Sequence, residues 1–401
     1  SKHVLFIKQV KIDSTVKDYY PDLDKTSGKI ITDLMYKHWD TWIESYPHIF
    51  VAQYSENGIS NSTDIMKDEP FESPNRPFGG MEQINWSPDS KTIAYTCRKL
   101  KGVAYTLSTN SDIYLYNIDN KTTTNISENM KGYDIAPVFS PDGSKIAWES
   151  MERDGYEADK NRLVVYDTKS KKITDYTADF DQNVTGLAWA EDNSKIYFIS
   201  DFHAKEDIYE LNINDSKIRK ITNGIHDFRS VIPAGNILIG TRMSMSYPLE
   251  IVSVNSSDGS IKKISNVNDE LLSKIKMGKV EEKWMKTTSN ENMHVWVIYP
   301  PDFDSTKKYP TLLYCEGGPQ STVSQFWSYR WNFQMMAANG YIVVAPNRHG
   351  LPGFGQKWNE QISGDYGGQN MKDYLTAIDE ACKWPFVNKV RLGCVGASYG
   401  G

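Results

Sequence analysis

The last residues of the chain place a serine where its hydroxyl could act as a nucleophile. The run Gly396–Gly400, Gly-Ala-Ser-Tyr-Gly, follows the apolar segment 390–395, as where a strand enters a helix through a tight turn. The positions two residues either side of the serine must be small, because a side chain there would meet the crossing backbone. The motif predicts Ser398 as a nucleophile lifted above a sheet, with the N–H of Tyr399 facing a developing oxyanion. An ordinary strand-to-helix turn is the alternative.

Segments upstream of this motif favour the interpretation of Ser398 as a nucleophile. Residues 309–314 form an apolar strand that runs into the loop Glu316–Pro319, Glu-Gly-Gly-Pro. α/β-Hydrolases place such a glycine-rich loop beside the serine, where the N–H of Gly318 would be a second oxyanion donor. The run 340–346 is continuously apolar, as in a parallel strand that is covered on both faces. A helix is predicted between Gln369 and Trp384 from apolar residues at helical spacing, namely Met371, Leu375, Ile378 and Cys382. This order of elements predicts a doubly wound, mostly parallel sheet.

A complete Ser-His-Asp triad is not expected within these residues. In α/β-hydrolases the acid and the histidine follow the nucleophile in the chain, and only three residues follow Ser398. His349 lies in the same half of the domain, but it precedes the serine, and we interpret it as a loop histidine. We therefore expect the catalytic Asp and His beyond residue 401, and a hydrolase domain that is incomplete in this chain.

The preceding part of the chain contains a repeat of about 50 residues, close to the ~40–50 of a β-propeller blade. In each copy an aromatic residue ends one strand, a Pro-Asp-Gly-like turn reverses the chain, and a Lys-Ile strand returns. The three copies occupy 86–95, 139–148 and 189–198, and a degenerate fourth occupies 233–239. Blades bury their faces by stacking on one another, so the repeat predicts a β-propeller; a stack of unrelated hairpins is the alternative.

The sequence thus predicts a β-propeller over residues 1–280, followed over 281–401 by the N-terminal half of an α/β-hydrolase domain that ends at the elbow. At the repeat length about six blades would fit, so we expect the start to be truncated as well. A helix inserted near 31–44 is predicted from one apolar face, formed by Ile31, Leu34, Met35, His38 and Trp42. His38 is interpreted as a packed residue, since no second metal ligand stands at a suitable spacing.

Composition excludes several functions. The net charge is −6, and basic residues are mixed with acidic ones instead of forming a patch, so we expect no nucleic-acid partner. No apolar run approaches the ~18 residues of a membrane span, so we expect no membrane partner. The cysteines are widely spaced and are predicted to be free, packed thiols, with the last two on buried faces: Cys97, Cys315, Cys382 and Cys394. No metal and no other cofactor is expected.

A propeller ahead of an α/β-hydrolase resembles the prolyl oligopeptidase family of serine peptidases. The motifs that carry the resemblance are Glu316–Pro319, Asn347–Gly355, Gly364–Gly368 and the elbow. The third of these, followed by Asp373, is similar to the dipeptidyl and acylaminoacyl peptidase branch. The resemblance implies a serine exopeptidase that releases dipeptides from the amino end of short peptides, usually after alanine or another apolar residue. It also implies a periplasmic or secreted bacterial protein whose signal peptide is absent from this chain.

The resemblance assigns roles to individual residues. Ser398 would be the nucleophile, and the N–H groups of Tyr399 and Gly318 would bind the oxyanion. Relatives carry histidine or tyrosine where this chain has Glu316, and a carboxylate pointing inward would repel the oxyanion. We therefore expect Glu316 to turn away and pair with a cation. Arg348 and Asp365 match family positions and are interpreted as scaffold, through an ion pair or a helix cap.

Dipeptidyl activity also needs carboxylates that bind the protonated amino terminus of the substrate. The candidates are Glu149 and Glu152, which we expect in a loop that follows a blade strand. A solvated charged loop is the alternative, and the pair Glu281–Glu282, near the domain junction, is a rival.

Three functions remain open at this point. The first is the dipeptidyl peptidase, with short peptides as partners. The second is an acylaminoacyl peptidase or esterase of the same fold, which would share the elbow and the glycine loop. The third is a catalytically inactive propeller that binds a partner. The residues do not decide between a monomer and a homodimer.

Overall fold

The computed structural model describes residues 2–401, which form two compact units. The first unit extends to Tyr156 and includes Arg162–Tyr176, and the second combines Glu157–Asn161 with Thr177–Gly401. No helix among the described residues is both long enough and apolar enough to cross a bilayer.

The first unit is built from antiparallel sheets. Its strands are β1 (His3–Lys11), β2 (Lys37–His38), β3 (Thr41–Trp42), β4 (Ser45–Ser55), β5 (Gly58–Asp64), β6 (Ile84–Trp86), β7 (Thr92–Cys97), β8 (Asp112–Asn117), β9 (Thr122–Asn125), β10 (Asp134–Phe139), β11 (Lys145–Ser150), β12 (Arg162–Asp167) and β13 (Ile173–Asp175). They form a three-stranded sheet β1-β4-β5 and two four-stranded blades, β6-β7-β8-β9 and β10-β11-β12-β13, while β2 and β3 pair alone.

The second unit begins with two further blades. Their strands are β14 (Thr185–Trp189), β15 (Lys195–Asp201), β16 (Glu206–Asn212), β17 (Ile218–Lys220), β18 (Asp227–Ala234), β19 (Ile237–Ser244), β20 (Tyr247–Asn255) and β21 (Ile261–Lys263). A single parallel pairing, Glu206 with Asp227, joins the two blades into one sheet. The predicted fourth copy is confirmed, because β18 and β19 are its hairpin.

The turn chemistry of the repeat is the same in each clear copy. An aspartate three residues before the returning strand accepts a hydrogen bond from the backbone N–H two residues later: Asp89 from Lys91 at 3.1 Å, Asp142 from Ser144 at 2.9 Å, and Asp192 from Ser194 at 3.0 Å. The residue directly after each aspartate has positive φ, namely Ser90, Gly143 and Asn193. Local hydrogen bonds to aspartate thus fix each reversal, as the sequence predicts.

The helix predicted near 31–44 is absent, which corrects that prediction. This segment holds only the short hairpin of β2 and β3, and Ile31 and Leu34 are exposed. The β-branched run Ile30-Ile31-Thr32 disfavours a helix. Trp42 instead stacks on Tyr36 at 5.9 Å across the hairpin. His38 lies beside Trp39, with ring centroids 5.4 Å apart.

The rest of the second unit is a five-stranded sheet with helices. Its strands are β22 (Val280–Lys286), β23 (Asn292–Ile298), β24 (Tyr309–Cys315), β25 (Ile342–Pro346) and β26 (Val387–Gly396), in the order β22-β23-β25-β24-β26. The last three strands are mutually parallel. The α-helices of the chain are α1 (Val16–Tyr19), α2 (Val103–Leu107), α3 (Asp269–Leu272), α4 (Phe333–Ala338), α5 (Gln356–Glu360) and α6 (Gln369–Ala381), and 3₁₀ turns occupy Met81–Gln83 and Ser398–Gly400.

The predicted helix after residue 369 is present as α6, but its buried face differs from the prediction. Met371 and Leu375 are exposed, and the residues that pack inward are Asn370, Asp373, Tyr374, Ala377 and Ala381. The two alanines allow close approach to the sheet, and the polar members make hydrogen bonds at the site described next. Cys394 is also exposed, contrary to prediction, because β26 is an edge strand and no other described element covers it.

Candidate active site

Three loops meet at the edge of the five-stranded sheet where the parallel strands β24, β25 and β26 end. β24 lies between β25 and β26, all three run parallel, and Cys315 at the end of β24 pairs with Gly396 at the end of β26. The loops that follow these strands are therefore neighbours, as at the ligand-binding edge of open α/β sheets. They begin at Glu316, Asn347 and Ala397.

Ser398 occupies a strained turn and is exposed. Its φ is +56°, a left-handed conformation that is uncommon for a residue with a side chain. A Cβ atom at Gly396 would lie 2.0 Å from the Gly400 carbonyl oxygen, and one at Gly400 would lie 2.1 Å from that of Cys315. Both glycines are thus required by the crossing backbone, which is the geometry that the motif predicts.

The glycine-rich loop lies directly beside the serine. A Cβ atom added to Gly317 would be 3.0 Å from the Ala397 carbonyl oxygen and 3.8 Å from Ser398 Cβ. Gly318 is exposed with φ of +108°, and its N–H donates to no backbone carbonyl among residues 2–401. Tyr399 follows the serine, and its hydroxyl donates a hydrogen bond to the Tyr366 carbonyl. The structure thus brings Ser398, Tyr399 and Gly318 to one edge; their chemical roles remain predictions.

Glu316 does not pair with a cation, contrary to expectation. Its Oε1 accepts a hydrogen bond from the Gly317 N–H at 3.1 Å, and its Oε2 is buried without a hydrogen-bond partner. Burial raises the pKa of this carboxyl group to about 7, although contacts with Tyr314 and Gly317 and the charge of Arg348 act in the opposite direction. The group is therefore largely protonated below pH 7, so it repels an oxyanion less than a carboxylate would.

Arg348 is fully buried at the start of the loop after β25. Its Nε donates to Tyr374 Oη at 3.2 Å, Nη1 to the His349 carbonyl at 2.9 Å, and Nη2 to the Pro319 carbonyl at 3.2 Å. It makes no ion pair with Asp365, whose carboxylate instead accepts from the Gln369 N–H at 3.1 Å at the start of α6. Asp365 thus matches the predicted helix cap, and Arg348 is scaffold without an ion pair.

His349 lies between two carboxylates. Its Nδ1 is 2.5 Å from Asp373 Oδ2, and its Nε2 is 2.9 Å from Glu291 Oε2. The ring is buried and stacks on Trp358 with centroids 3.6 Å apart. Burial lowers the pKa of His349, but the hydrogen bonds and charges of Asp373 and Glu291 outweigh it and hold the pKa above the usual value. With both ring nitrogens engaged, His349 is not placed to take a proton from Ser398, in agreement with its interpretation as a loop histidine.

Sequence reasoning missed the cluster of Glu291, His349, Trp358 and Asp373, whose members are all buried except the partly exposed Glu291. Trp358 and Asp373 lie on α5 and α6, whereas Glu291 and His349 lie in the loops before β23 and after β25, so no spacing in the sequence links them. The one available signal is Asp373 itself, because a carboxylate on the inner face of α6 needs a buried donor. Among residues 2–401 no three His, Cys, Asp or Glu side chains converge as ligands for a metal ion.

The candidate amino-terminus anchors lie in the first unit. Glu149 is buried within β11 instead of in a loop, opposite Ile135 and Leu163. Glu152 is in the following loop with an exposed side chain, 3.9 Å from Arg162 Nη1. The structure therefore does not gather the two carboxylates into one exposed pair. Their role in binding an amino terminus stays a prediction.

The rival pair is neutralised by lysines. Glu281 is on β22, 3.2 Å from Lys283 Nζ, and Glu282 is 3.1 Å from Lys205 Nζ. A hydrogen bond from His294, with the charge of Lys205, lowers the pKa of Glu282 to about 2 against the effect of burial. Both carboxylates are thus engaged within the second unit.

The fold and the elbow together define the class. Residues 83–273 match the sequence model of the TolB β-propeller domain, and residues 327–401 match that of the prolyl oligopeptidase family. The chain therefore belongs to the prolyl oligopeptidase family, with a TolB-like propeller followed by part of an α/β-hydrolase domain. This confirms the predicted fold class.

Two similar proteins share one name. The chain is 53% identical to dipeptidyl-peptidase 5 of Porphyromonas gingivalis over 400 residues and 49% identical to that of Porphyromonas endodontalis. In both cases all of this chain is covered, but only 58% of the relative. The chain thus spans somewhat more than half of the length of these relatives.

Solved structures support the fold. Acylaminoacyl peptidase of Pyrococcus horikoshii superposes with a TM-score of 0.79 at 18% identity, over all of this chain and 58% of that one. Dipeptidyl peptidase 4 of Porphyromonas gingivalis gives a TM-score of 0.59 at 16% identity, over 88% of this chain and 62% of that one. At these identities the likeness concerns architecture alone.

Proposed function

We propose that this chain carries the nucleophile of a serine exopeptidase that releases dipeptides from the amino end of short peptides. The observation that carries the proposal is the exposed Ser398 at φ of +56°, packed between two glycines that the backbone requires and beside the Gly317–Gly318 loop. The 53% identity to a protein named dipeptidyl-peptidase 5 supports the substrate class.

The proposed reaction uses the groups at the sheet edge. Ser398 Oγ attacks the carbonyl carbon of the second peptide bond while an imidazole takes the hydroxyl proton. The N–H groups of Tyr399 and Gly318 stabilise the tetrahedral oxyanion. The C–N bond then breaks, the leaving amine takes the proton, and the dipeptide stays on the serine as an ester that water hydrolyses. We infer that the imidazole is not His349, because both of its ring nitrogens are engaged by carboxylates.

Substrate selection is a further part of the proposal. We infer a preference for alanine or another apolar residue before the cleaved bond. We also infer that a carboxylate binds the free amino terminus of the substrate. Glu149 and Glu152 are the candidates for this carboxylate, and the burial of Glu149 favours Glu152. We also propose a periplasmic or secreted location, as the resemblance to the family implies. Short peptides are the proposed partners.

The first test compares the full-length enzyme with its Ser398→Ala variant. The substrate is a dipeptidyl coumarin amide with alanine next to the dye, in free-amino and N-acetylated forms. We expect cleavage of the free-amino form alone, and loss of at least about 10³-fold in kcat in the variant. A fluorophosphonate should label Ser398 in the wild type.

Other results would select another function. Faster cleavage of the acetylated amide would indicate an acylaminoacyl peptidase, and hydrolysis of a simple ester without either amide would indicate an esterase. A wild type that is neither active nor labelled would favour the third function, a catalytically inactive propeller that binds a partner.

A further inference from the structure

Arg348 is a buried cation that makes no ion pair within the described part of the chain, although its charge acts on the carboxyl group of Glu316. Its side chain is among the largest fully buried ones, and its nitrogens form no ion pair with a carboxylate among residues 2–401. Burying an unpaired charge is unfavourable, and apolar replacements of buried charged groups are often neutral or stabilising. Stability alone therefore does not account for an arginine here.

The guanidinium contacts both segments that carry the proposed oxyanion donors. Nη2 donates to the Pro319 carbonyl at 3.2 Å, one residue after Gly318. The guanidinium carbon lies 4.6 Å from the ring centroid of Tyr399, within the range of a cation–π contact. One planar group thus spans the glycine loop and the elbow.

Tyr374 supports the same loop from its other end. Its hydroxyl accepts from Arg348 Nε and donates to the Glu316 carbonyl at 3.3 Å. The two glycines are therefore held between a carbonyl bonded to Tyr374 and a carbonyl bonded to Arg348. Only a side chain with several donors in one plane can make these contacts together, which distinguishes arginine from lysine.

The buried cluster fixes the backbone of this arginine. Asp373, which precedes Tyr374 on α6, accepts hydrogen bonds from the backbone N–H of His349 at 2.8 Å and from its ring. Trp358 Nε1 donates to the Arg348 carbonyl at 2.9 Å. One helix thus orients both the guanidinium and the chain that carries it.

We propose that Arg348 is a positioning residue that holds the Gly318 and Tyr399 amides at the separation that the oxyanion requires. The inference deepens the proposed function and rests on it. Oxyanion donors act only when they are held in place before the reaction, so a loop released by loss of Arg348 should weaken transition-state binding more than substrate binding.

The test uses the full-length enzyme with Arg348→Met and Arg348→Lys. For Arg348→Met we expect kcat to fall roughly 10- to 100-fold with KM within about threefold, since removing an oxyanion donor outright costs ~10²–10³. Arg348→Lys keeps the positive charge but lacks the planar guanidinium group with its several donors, so its fall in kcat should be smaller than that of Arg348→Met. A dipeptide boronate, which forms a tetrahedral adduct with the serine, should lose affinity by the same factor as kcat, whereas the product dipeptide should bind with unchanged affinity.

Gln334→Leu is the matched control. Gln334 is buried in α4 and bonds to the N–H and carbonyl of Gly278, away from the elbow. We expect a lower Tm with wild-type kcat. The inference is overturned if Arg348→Met keeps wild-type kcat, if boronate binding does not follow kcat, or if Gln334→Leu loses as much activity at an equal loss of Tm.

An ester substrate separates this inference from the proposed function. Ester hydrolysis also passes through an oxyanion, so the effect of Arg348→Met on ester kcat should persist even if the wild type cleaves no dipeptide amide. That result would refute the exopeptidase and support the positioning role. A wild type that is inert toward ester and amide would overturn both.

Discussion

Glu316 places an ionisable carboxyl group directly before the two glycines at the sheet edge. The side chain is half-buried, its Oε2 is buried without a hydrogen-bond partner, and its pKa is raised to about 7 mainly by burial. Above pH 7 the group ionises beside the position proposed for the oxyanion. A negative charge there opposes the charge that develops in the transition state.

Glu316→Gln should therefore change the pH dependence of kcat. We expect the variant to match the wild type near pH 5.5 and to exceed it by roughly fivefold near pH 8.5, where a charge at this site would repel the oxyanion. Glu281→Gln is the control, because Glu281 is on β22 at the opposite edge of the same sheet and pairs with Lys283. Parallel pH profiles for wild type and Glu316→Gln would contradict the role assigned to this proton.

Sequence reasoning located this residue but not its environment. The elbow and the glycine loop are predictable because each depends on local backbone geometry that only glycine permits. Whether Glu316 pairs with a cation depends on Tyr314, Tyr374 and Arg348, which are brought together by β24, α6 and the loop after β25. The same limit explains why Glu149, expected in a loop, is buried within a strand.

At the level of elements, the edge strand β26 carries two kinds of glycine. A Cβ at Gly396 would lie 2.0 Å from a backbone oxygen, whereas a Cβ at Gly393 would lie 3.3 Å from the end of the Leu312 side chain, which can move. Backbone conflicts cannot be relieved without displacing the turn. The two positions are therefore a matched pair on one strand.

Gly396→Ala should displace the elbow and Gly393→Ala should not. We expect fluorophosphonate labelling of Ser398 to slow by on the order of 100-fold in the first variant, since displacements of about 1 Å in an active site have such effects. The second variant should label within about threefold of wild type, with both followed by the labelling rate and by Tm. Equal rates in the two variants would show that the elbow is not held as described.

Elements whose signal is local were predicted best. The repeat was recognisable because its Asp-centred turns recur, and β24 and β25 because they are continuously apolar. The helix prediction for segment 31–44 was wrong. Apolar spacing favours a helix there, but the β-branched run Ile30-Ile31-Thr32 and the Tyr36–Trp42 stack favour a hairpin. The predicted inner face of α6 was wrong because the observed face is determined by hydrogen bonds of Asp373 and Tyr374 to partners distant in sequence.

At the level of the molecule, acidic side chains of blade strands bind the loop that follows β24 within the second unit. Asp227 on β18 accepts from Ser324 Oγ at 2.6 Å and from the Gln325 N–H at 3.0 Å. Asp201, at the end of β15, accepts from Thr322 Oγ1, and its Oδ1 is buried without a partner. The segment 322–325 is thus bound to two blades by acidic side chains.

This arrangement predicts that the folded unit loses stability as the pH rises. Burial raises the pKa of Asp201 from 3.8 to about 7, although Thr322 acts against it. The folded protein thus holds a proton that the unfolded chain has released, so the stabilising contribution is complete below pH 3.8 and is lost as the pH rises through 7. Between pH 6 and 8 the loss of folding stability should be about 1 kcal/mol.

Asp201→Asn, which cannot ionise, should remove that part of the pH dependence, measured as the change in urea midpoint of the full-length protein. Asp215→Asn, an exposed aspartate next to β17, is the control and should leave the dependence unchanged. A wild type and an Asp201→Asn variant with the same pH dependence would mean that Asp201 is already ionised where it contacts Thr322, with the charge of Arg229 acting in place of a proton.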